Sequence, residues 1–449
     1  MRTSTLATLA LGAGAASAAS VKRQSSLPSV SVKGNAFFAG DDRFYIRGVD
    51  YQPGGSSDVA DPIADVDGCQ RDIEEFKKLG INAIRVYTVD NTADHDTCMN
   101  ALADAGIYLI LDVNTPKYSL NRADPGPSYN DVYLQSIFAT IDIFQGYSNT
   151  LAFFSGNEVI NDPETSAAAP YVKAVTRDIR QYIRNRGYRT IPVGYSAADV
   201  AENRLEMAEY MNCGTDDERS DFFAFNDYSW CDPSSFTVSG WDQKVKNFTG
   251  YGLPIFLSEY GCNTNTREFN EVEALYGSEM TPVYSGGLVY EYSQEPSNYG
   301  LVEISGDSVS ELPDFGVLQE QFAKTANPQG DGGYNSTGGA SGCPAFSDPN
   351  WLVKDNSLPA IPDGAKKYMT EGAGTGPGLD GPGSQNAGGA STGTATQGSG
   401  QATQTGSSGS SSTASGNAAV SIMAPEWSFA PMVCAAVVVM STFLGAALL

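Results

Sequence analysis

Leu151-Ala-Phe-Phe-Ser-Gly-Asn-Glu158-Val-Ile160 is an apolar run that ends abruptly in Ser-Gly-Asn-Glu. It has the form of a buried strand finishing on a carboxylate. Barrels and open α/β sheets build their sites at the carboxyl ends of strands. A second stretch, Leu253-Pro-Ile-Phe-Leu-Ser-Glu259-Tyr-Gly261, repeats the form. Glu158 and Glu259 are therefore the candidate catalytic pair.

Outward from these two stretches the pattern alternates between strand and helix. Upstream, strands are expected at Phe44–Tyr51, Ile81–Tyr87 and Ile107–Asp112. The helices between them, Arg71–Leu79 and Asp96–Ala105, are stopped by Gly80 and Gly106. A longer helix over Tyr129–Phe144 precedes the strand of Glu158. Downstream come a helix over Pro170–Asn185, a strand over Thr190–Tyr195 and a short helix over Leu205–Tyr210. A strand over Phe222–Tyr228 and a helix over Trp241–Phe248 lead to the strand of Glu259. A helix over Glu268–Tyr276 and a strand over Gly286–Tyr292 close the series. Eight strands alternating with helices point to an α/β fold of the (β/α)8 TIM barrel type across residues 19–326, with a doubly wound sheet as runner-up. On this count Glu158 ends strand four and Glu259 strand seven, which places both acids on one rim.

A single glutamate after a strand is more often a solvated or ion-paired rim residue than a catalyst. Two in matching contexts shift the balance. Burial raises a carboxyl pKa, as a general acid needs, while nearby donors keep a partner ionised, as a nucleophile needs. That division of labour is the mechanism of most glycosidases, and carboxyls about 5 to 5.5 Å apart retain anomeric configuration. Tyr87, Asp112, Tyr228, Trp230, Tyr290 and Tyr292 stand near strand ends. Each aromatic singly is ordinary packing; their repetition there suits the faces and hydroxyls of sugar rings.

Composition removes competing chemistries. The chain of 449 residues carries 52 acidic and 27 basic residues, a net charge of −25. Nucleic acid demands basic patches, so it is not an expected partner. His95 is the only histidine. Multi-histidine metal sites need more, and a Ser-His-Asp triad would have to be built on His95, which has the setting of a helix-start residue. Acid–base work falls to carboxylates or tyrosines. Neither a metal nor an organic cofactor is expected.

The ends carry targeting signals. Arg2, the apolar run Leu6–Ala18 and Ala16-Ser-Ala18 fit a secretory signal over residues 1–18; Lys22-Arg23 is a candidate processing pair. No charged residue occurs from Trp427 to Leu449. Small residues at Ser415–Ala419, a spacer and a terminal apolar tail form the pattern of a glycosylphosphatidylinositol signal over 417–449, with Asn417 as attachment residue. A single-pass helix is the alternative. Residues 371–416, rich in Gly, Ser, Thr, Ala and Gln and free of aromatics, are expected to be a disordered stalk. Residues 327–370 are expected to form a C-terminal extension packed on the barrel.

Of seven cysteines, Cys434 lies in the tail. The six others, after a signal peptide, imply three disulfides whose pairing the pattern leaves open. No C-x-x-C pair supports the competing metal reading. Asn247-Phe-Thr249 and Asn335-Ser-Thr337 fit the N-glycosylation rule.

Seven spaced blocks carry a family resemblance: Ile46-Arg-Gly-Val-Asp-Tyr-Gln52, Ile84-Arg-Val-Tyr87, Phe154-Ser-Gly-Asn-Glu158, Tyr195-Ser-Ala-Ala-Asp199, Asp227-Tyr-Ser-Trp-Cys231, Phe256-Leu-Ser-Glu-Tyr-Gly-Cys262 and Gly286-Gly-Leu-Val-Tyr-Glu-Tyr292. A further block spans Cys343-Pro, Trp351, Leu358-Pro and Tyr368-Met369. From about Val32 to Asp380 the chain resembles the fungal β-1,3-glucanosyltransferases of glycoside hydrolase family 72, anchored enzymes that remodel the cell wall. The resemblance implies Glu158 as acid/base and Glu259 as nucleophile. It implies Asn157 on the donor 2-hydroxyl and Tyr228 orienting the nucleophile. Gln52, Tyr87, Asp112, Asn121, Arg122, Asp199, Arg204 and Tyr290 would line the glucan groove, with Tyr292 on the same strand face as Tyr290. It also implies disulfides Cys69–Cys98, Cys213–Cys343 and Cys231–Cys262. Some members carry a second cysteine-rich carbohydrate-binding module; only Cys343 and Cys434 follow residue 262 here, so none is expected.

The expected function is a retaining transglycosylase. It would cleave an internal linkage of β-1,3-glucan and pass the new reducing end to a second glucan chain. The expected protein is a monomer, secreted and held by lipid on the outer face of the plasma membrane. An endo-β-1,3-glucanase is the nearest rival, and a catalytically dead wall-binding barrel the rival from another class.

Overall fold

The computed structural model describes residues 27–396 and Gly400. The signal segment 1–18, Lys22-Arg23, Asn417 and the segments 401–416 and 417–449 lie outside the described residues.

Three short strands, β1 (Val30–Lys33), β2 (Ala36–Ala39) and β3 (Asp42–Phe44), form an antiparallel sheet before the barrel begins. The barrel then follows chain order. Its strands are β4 (Ile46–Asp50), β5 (Ala83–Val86), β6 (Tyr108–Asp112), β7 (Thr150–Asn157), β8 (Val193–Ala198), β9 (Phe222–Asn226), β10 (Ile255–Tyr260) and β11 (Tyr284–Val289). All pair in parallel, and β11 closes onto β4 through Gly286–Ile46 to Val289–Val49. The fold is a (β/α)8 barrel. Glu158 directly follows its fourth strand, and Glu259 lies at the end of its seventh.

The helices are α1 (Val66–Leu79), α2 (Asp96–Asp104), α3 (Pro125–Ser128), α4 (Asp131–Phe144), α5 (Ala169–Asn185), α6 (Arg204–Met211), α7 (Trp241–Phe248) and α8 (Glu271–Leu275). A hairpin, β12 (Val302–Ser305) and β13 (Ser308–Glu311), precedes α9 (Pro313–Lys324); α10 (Tyr368–Glu371) ends the series. Local chemistry sets the boundaries. Asp65 caps α1 by accepting from the Gly68 amide, and Gly80 ends it at φ 70°, a conformation that costs glycine little. Asn130 caps α4 through the Tyr133 amide.

The barrel interior is layered. At its amino-terminal end Phe154, Phe222 and Phe256 pack round Phe37 of β2, with ring centroids 5.4–5.9 Å apart. The β1–β3 sheet thus stops the end of the barrel opposite the two glutamates. Above the phenylalanine layer comes the guanidinium of Arg85, 4.6 Å from the Phe154 ring and 4.1 Å from that of Tyr87. Aromatic packing gives way there to charge.

The extension after α9 is tied on by Cys213–Cys343; Cys69–Cys98 and Cys231–Cys262 are the other two disulfides. Trp351 is buried, its ring 5.4 Å from Tyr210. The stalk expected from residue 371 does not begin there. Residues 373–395 lie on the barrel, with Ala373 N donating to the Tyr182 hydroxyl, Gly378 N to Asn91 and Ala395 N to Leu358 O. Composition misleads because the segment is held through its backbone. Glycine lets main chain approach polar side chains: a Cβ on Gly376 would stand 2.1 Å from Asn91 Oδ1, and one on Gly389 2.0 Å from Asp131 Oδ1.

Candidate active site

Glu259 is 7% exposed and held from three sides. The Tyr87 hydroxyl donates to Oε1 at 2.8 Å and the Tyr228 hydroxyl to Oε2 at 2.7 Å. Arg85 Nη1 reaches Oε1 at 3.2 Å. Arg85 also grips Asp112 through Nε and Nη2, at 2.8 and 3.2 Å. Burial raises the Glu259 carboxyl, Arg85 opposes it, the Glu158 charge raises it again and the two tyrosine hydroxyls lower it; the balance lies at about 7. Glu158 thus stands close enough to be felt.

Glu158 has a different setting. Its φ is 47°, in the left-handed region. Its amide donates to Ser196 O, and the next turn is fixed by Ile160 N donating to the buried Tyr195 hydroxyl. Asn226 Nδ2 donates to Glu158 Oε1 at 2.9 Å and to Asn157 Oδ1 at 3.1 Å. The Ser196 hydroxyl lies 2.7 Å from that same Asn157 oxygen. With its oxygen so engaged, Asn157 keeps its NH2 group for a ligand. One carboxylate therefore carries donors and a cation, and the other a single neutral amide.

A cleft of about 320 Å³ opens beside them, its lining including Tyr87, Asp112, Arg122, Asn157, Ser119 and Leu120. Tyr228, Tyr290 and Tyr299 form an aromatic cluster, with centroids 5.3–6.3 Å apart, that adjoins Glu259 through Tyr228. Tyr290 is half-buried and reaches Ser56 at 3.2 Å, whereas Tyr292 is fully buried and donates to Asp72. Both lie beyond the end of β11 at Val289.

The other candidates are dispersed along the rim. Gln52 is 2% exposed; its oxygen accepts from the Tyr87 and Thr88 amides and its NH2 donates to Ala60 O, so it stands behind the wall. Asn121 is exposed, its side-chain oxygen accepting from the Ala123 and Asp124 amides. Asp199 pairs with Arg204 and with Lys244 Nζ, which also holds Asp227. Burial would raise Asp227, but the Lys244 ammonium outweighs it and holds that carboxyl below its ordinary value. Asn247 is exposed, and the side-chain oxygen of Asn335 accepts from the Thr337 hydroxyl. No cluster of three or more His, Cys, Asp or Glu among the described residues could hold a metal ion.

Several residues of the site were not singled out from sequence. Arg85 is the central one. A charged residue inside the apolar strand Ile81–Tyr87 was the available signal. Asp50 is fully buried beside it; burial drives its carboxyl well up against the pull of Arg85, and Glu259, Asp112 and Glu291 push the same way. Asn226 and Tyr299 gave no local signal.

Two measurements check this electrostatic account. Arg85→Met leaves Asp112 and Glu259 without their buried cation, so a loss of about 3–5 kcal/mol is expected in denaturant unfolding. The second concerns pH. The folded-state pKa of Glu259 is raised from 4.5, so its contribution to stability is full below that value and is lost as pH rises through about 7. A nucleophile must be ionised, so kcat/KM should rise with pH over the same window. Tyr228→Phe removes a donor to the carboxylate and should move that acid limb upward by about half to one unit.

A family model described as glucanosyltransferase matches residues 19–326. The 1,3-beta-glucanosyltransferase gel1 of Aspergillus fumigatus is 70% identical over 443 residues, 98% of each chain. The chain belongs to the glucanosyltransferase family. A second family member, the 1,3-beta-glucanosyltransferase GAS5 of Saccharomyces cerevisiae, is 55% identical over 81% of this chain and 76% of its own. Among solved glucanosyltransferase-family structures, a glutamate-to-glutamine variant of Saccharomyces cerevisiae Gas2p in complex with laminaritetraose and laminaripentaose matches with a TM-score of 0.70. It is 39% identical over 75% of each chain.

Proposed function

We propose that this glucanosyltransferase cleaves an internal β-1,3 linkage of glucan and transfers the new reducing end to a second β-1,3-glucan chain. The observation that carries the reading is the unequal pair of carboxyls on one barrel rim. Glu259 Oε1 or Oε2 attacks the anomeric carbon while Glu158 protonates the departing glycosidic oxygen. The C–O bond to the leaving chain breaks as the bond to Glu259 forms, giving a covalent glycosyl-enzyme. Tyr87, Tyr228 and Arg85 place the attacking oxygens and favour the ionised form. The NH2 of Asn157 would meet the 2-hydroxyl of the same sugar. Glu158, now ionised, then takes a proton from an acceptor hydroxyl, whose oxygen displaces Glu259. The overall configuration is retained. The relative solved with laminari-oligosaccharides supports a linear β-1,3-glucan in the groove.

Supplying a reduced laminari-oligosaccharide and sizing the products tests the proposal. Transfer gives some products longer than the input. A ladder containing only shorter products would replace it with endo-β-1,3-glucanase activity.

Lipid anchoring through Asn417 at the outer face of the plasma membrane, and action on the cell wall, complete the proposal. They are supported by the terminal apolar tail and the small residues before it. No helix among the described residues is long and apolar enough to cross a membrane. A phospholipase specific for such anchors should release the protein from membranes; retention would favour a spanning segment.

A further inference from the structure

One wall of the cleft is the loop from Thr115 to Arg122, which contributes Thr115, Pro116, Ser119, Leu120 and Arg122 to the lining. Within the loop, Thr115 and Tyr118 exchange backbone hydrogen bonds. Its further support comes largely from the far end of the chain. Lys117 Nζ donates to Leu379 O at 2.7 Å, and Ser384 N donates to Lys117 O at 3.0 Å. Gln385 Nε2 donates to Ser119 O at 2.7 Å, and Gly383 N reaches the Tyr118 hydroxyl at 3.3 Å.

These contacts are specified by sequence. A Cβ on Gly381 would stand 2.1 Å from the Tyr118 hydroxyl, so the strap of residues 373–395 can pass this close to Tyr118 at that position because it lacks a side chain there. Ser384 is fully buried, its carbonyl accepting from Asn130 Nδ2 at the cap of α4. The strap is thus anchored to a helix start on one side and to the groove loop on the other. None of these hydrogen bonds runs to Glu158 or Glu259.

We propose that residues 373–395 are a substrate-positioning strap that fixes the Thr115–Arg122 loop and thereby sets how firmly the groove holds β-1,3-glucan units away from the cleavage point. The inference rests on that loop being a wall of the glucan groove. Loosening the strap weakens binding of long chains and leaves the chemistry at Glu158 and Glu259 untouched. A stretch whose composition suits a spacer therefore acts on specificity.

The test uses the full chain. Gly381→Ala combined with Gln385→Ala pushes the strap from Tyr118 and removes a bond to Ser119. Gly393→Ala, where an added Cβ meets nothing within 4 Å, is the control. Expected in the double variant is amide hydrogen exchange at residues 115–122 faster by about tenfold. KM for long laminari-oligosaccharides should rise by about three- to tenfold, with kcat and Tm near those of the unaltered chain. The control should match the unaltered chain throughout. Unchanged exchange, or faster exchange with unchanged KM, would overturn the proposal. If the double variant melts several degrees early, Lys117→Met, which removes one bond only, is read by the same two measurements and decides. Failure of the glucan reading itself would look different: the unaltered chain would yield no longer products, while the exchange result would stand.

Discussion

Glu259→Gln is expected to lower turnover by about 10⁴-fold or more, because the covalent step has no other nucleophile. A donor with a stabilised glycosyl-enzyme, such as a 2-fluoro sugar with a good leaving group, should label the unaltered protein on the peptide carrying Glu259. The variant should stay unlabelled in the mass spectrum. Turnover above about one part in a hundred of the unaltered rate would remove Glu259 from the role. The fold should tolerate the change. Below neutral pH the carboxyl at this place is largely protonated, since burial outweighs Arg85 and raises it to about 7. A neutral amide then replaces a group that is already neutral. As pH climbs from 5 to 8 the unaltered protein must ionise a buried acid and the variant need not. The difference in Tm should therefore move in the variant's favour over that range.

Glu158→Gln should behave differently, and the difference identifies its role. On glucan, whose leaving group is an alcohol, losing the general acid costs about 10²–10⁴-fold in kcat. A glycosyl fluoride needs little protonation to depart, so its first step should lose far less. The glycosyl-enzyme then accumulates, because no base activates the acceptor. Azide needs no base and should restore release as the β-glycosyl azide. An equal loss on fluoride and on glucan, with no rescue by azide, would mean that Glu158 is not the proton carrier. Asn226, whose Nδ2 donates to Glu158 Oε1, would donate equally to the oxygen of the glutamine, so the local structure should persist.

The barrel was legible because its strands are continuous apolar runs broken by helices with ordinary stop signals, as at Gly80 and Gly106. Both glutamates were legible for a related reason: an acid at the end of an apolar run contradicts its surroundings. Arg85 makes the same contradiction, yet it reads as a lone basic residue until the barrel closes and brings Asp112 and Glu259 to it. Asn226 ends a run of phenylalanines and differs little from any strand-end asparagine; its value comes from β7 lying two strands away. Tyr290 and Tyr292 would share a period-two face, so alternation could not separate them; β11 ends at Val289, and beyond it that period no longer holds. The β1–β3 sheet was missed because its strands are three or four residues long and separated by tight turns. The strap failed for the opposite reason. Its composition argues against a core, and it builds none; it is held by carbonyls and amides that composition does not report.

The left-handed backbone at Glu158 sets the interests of the fold against those of the reaction. A side chain there costs on the order of 1–3 kcal/mol that glycine would not incur. Selection for heat tolerance alone would drain glutamate from position 158, and a laboratory lineage enriched only for survival at high temperature should collect inert proteins altered at that site. Any programme to harden this enzyme must therefore screen on transfer at every round.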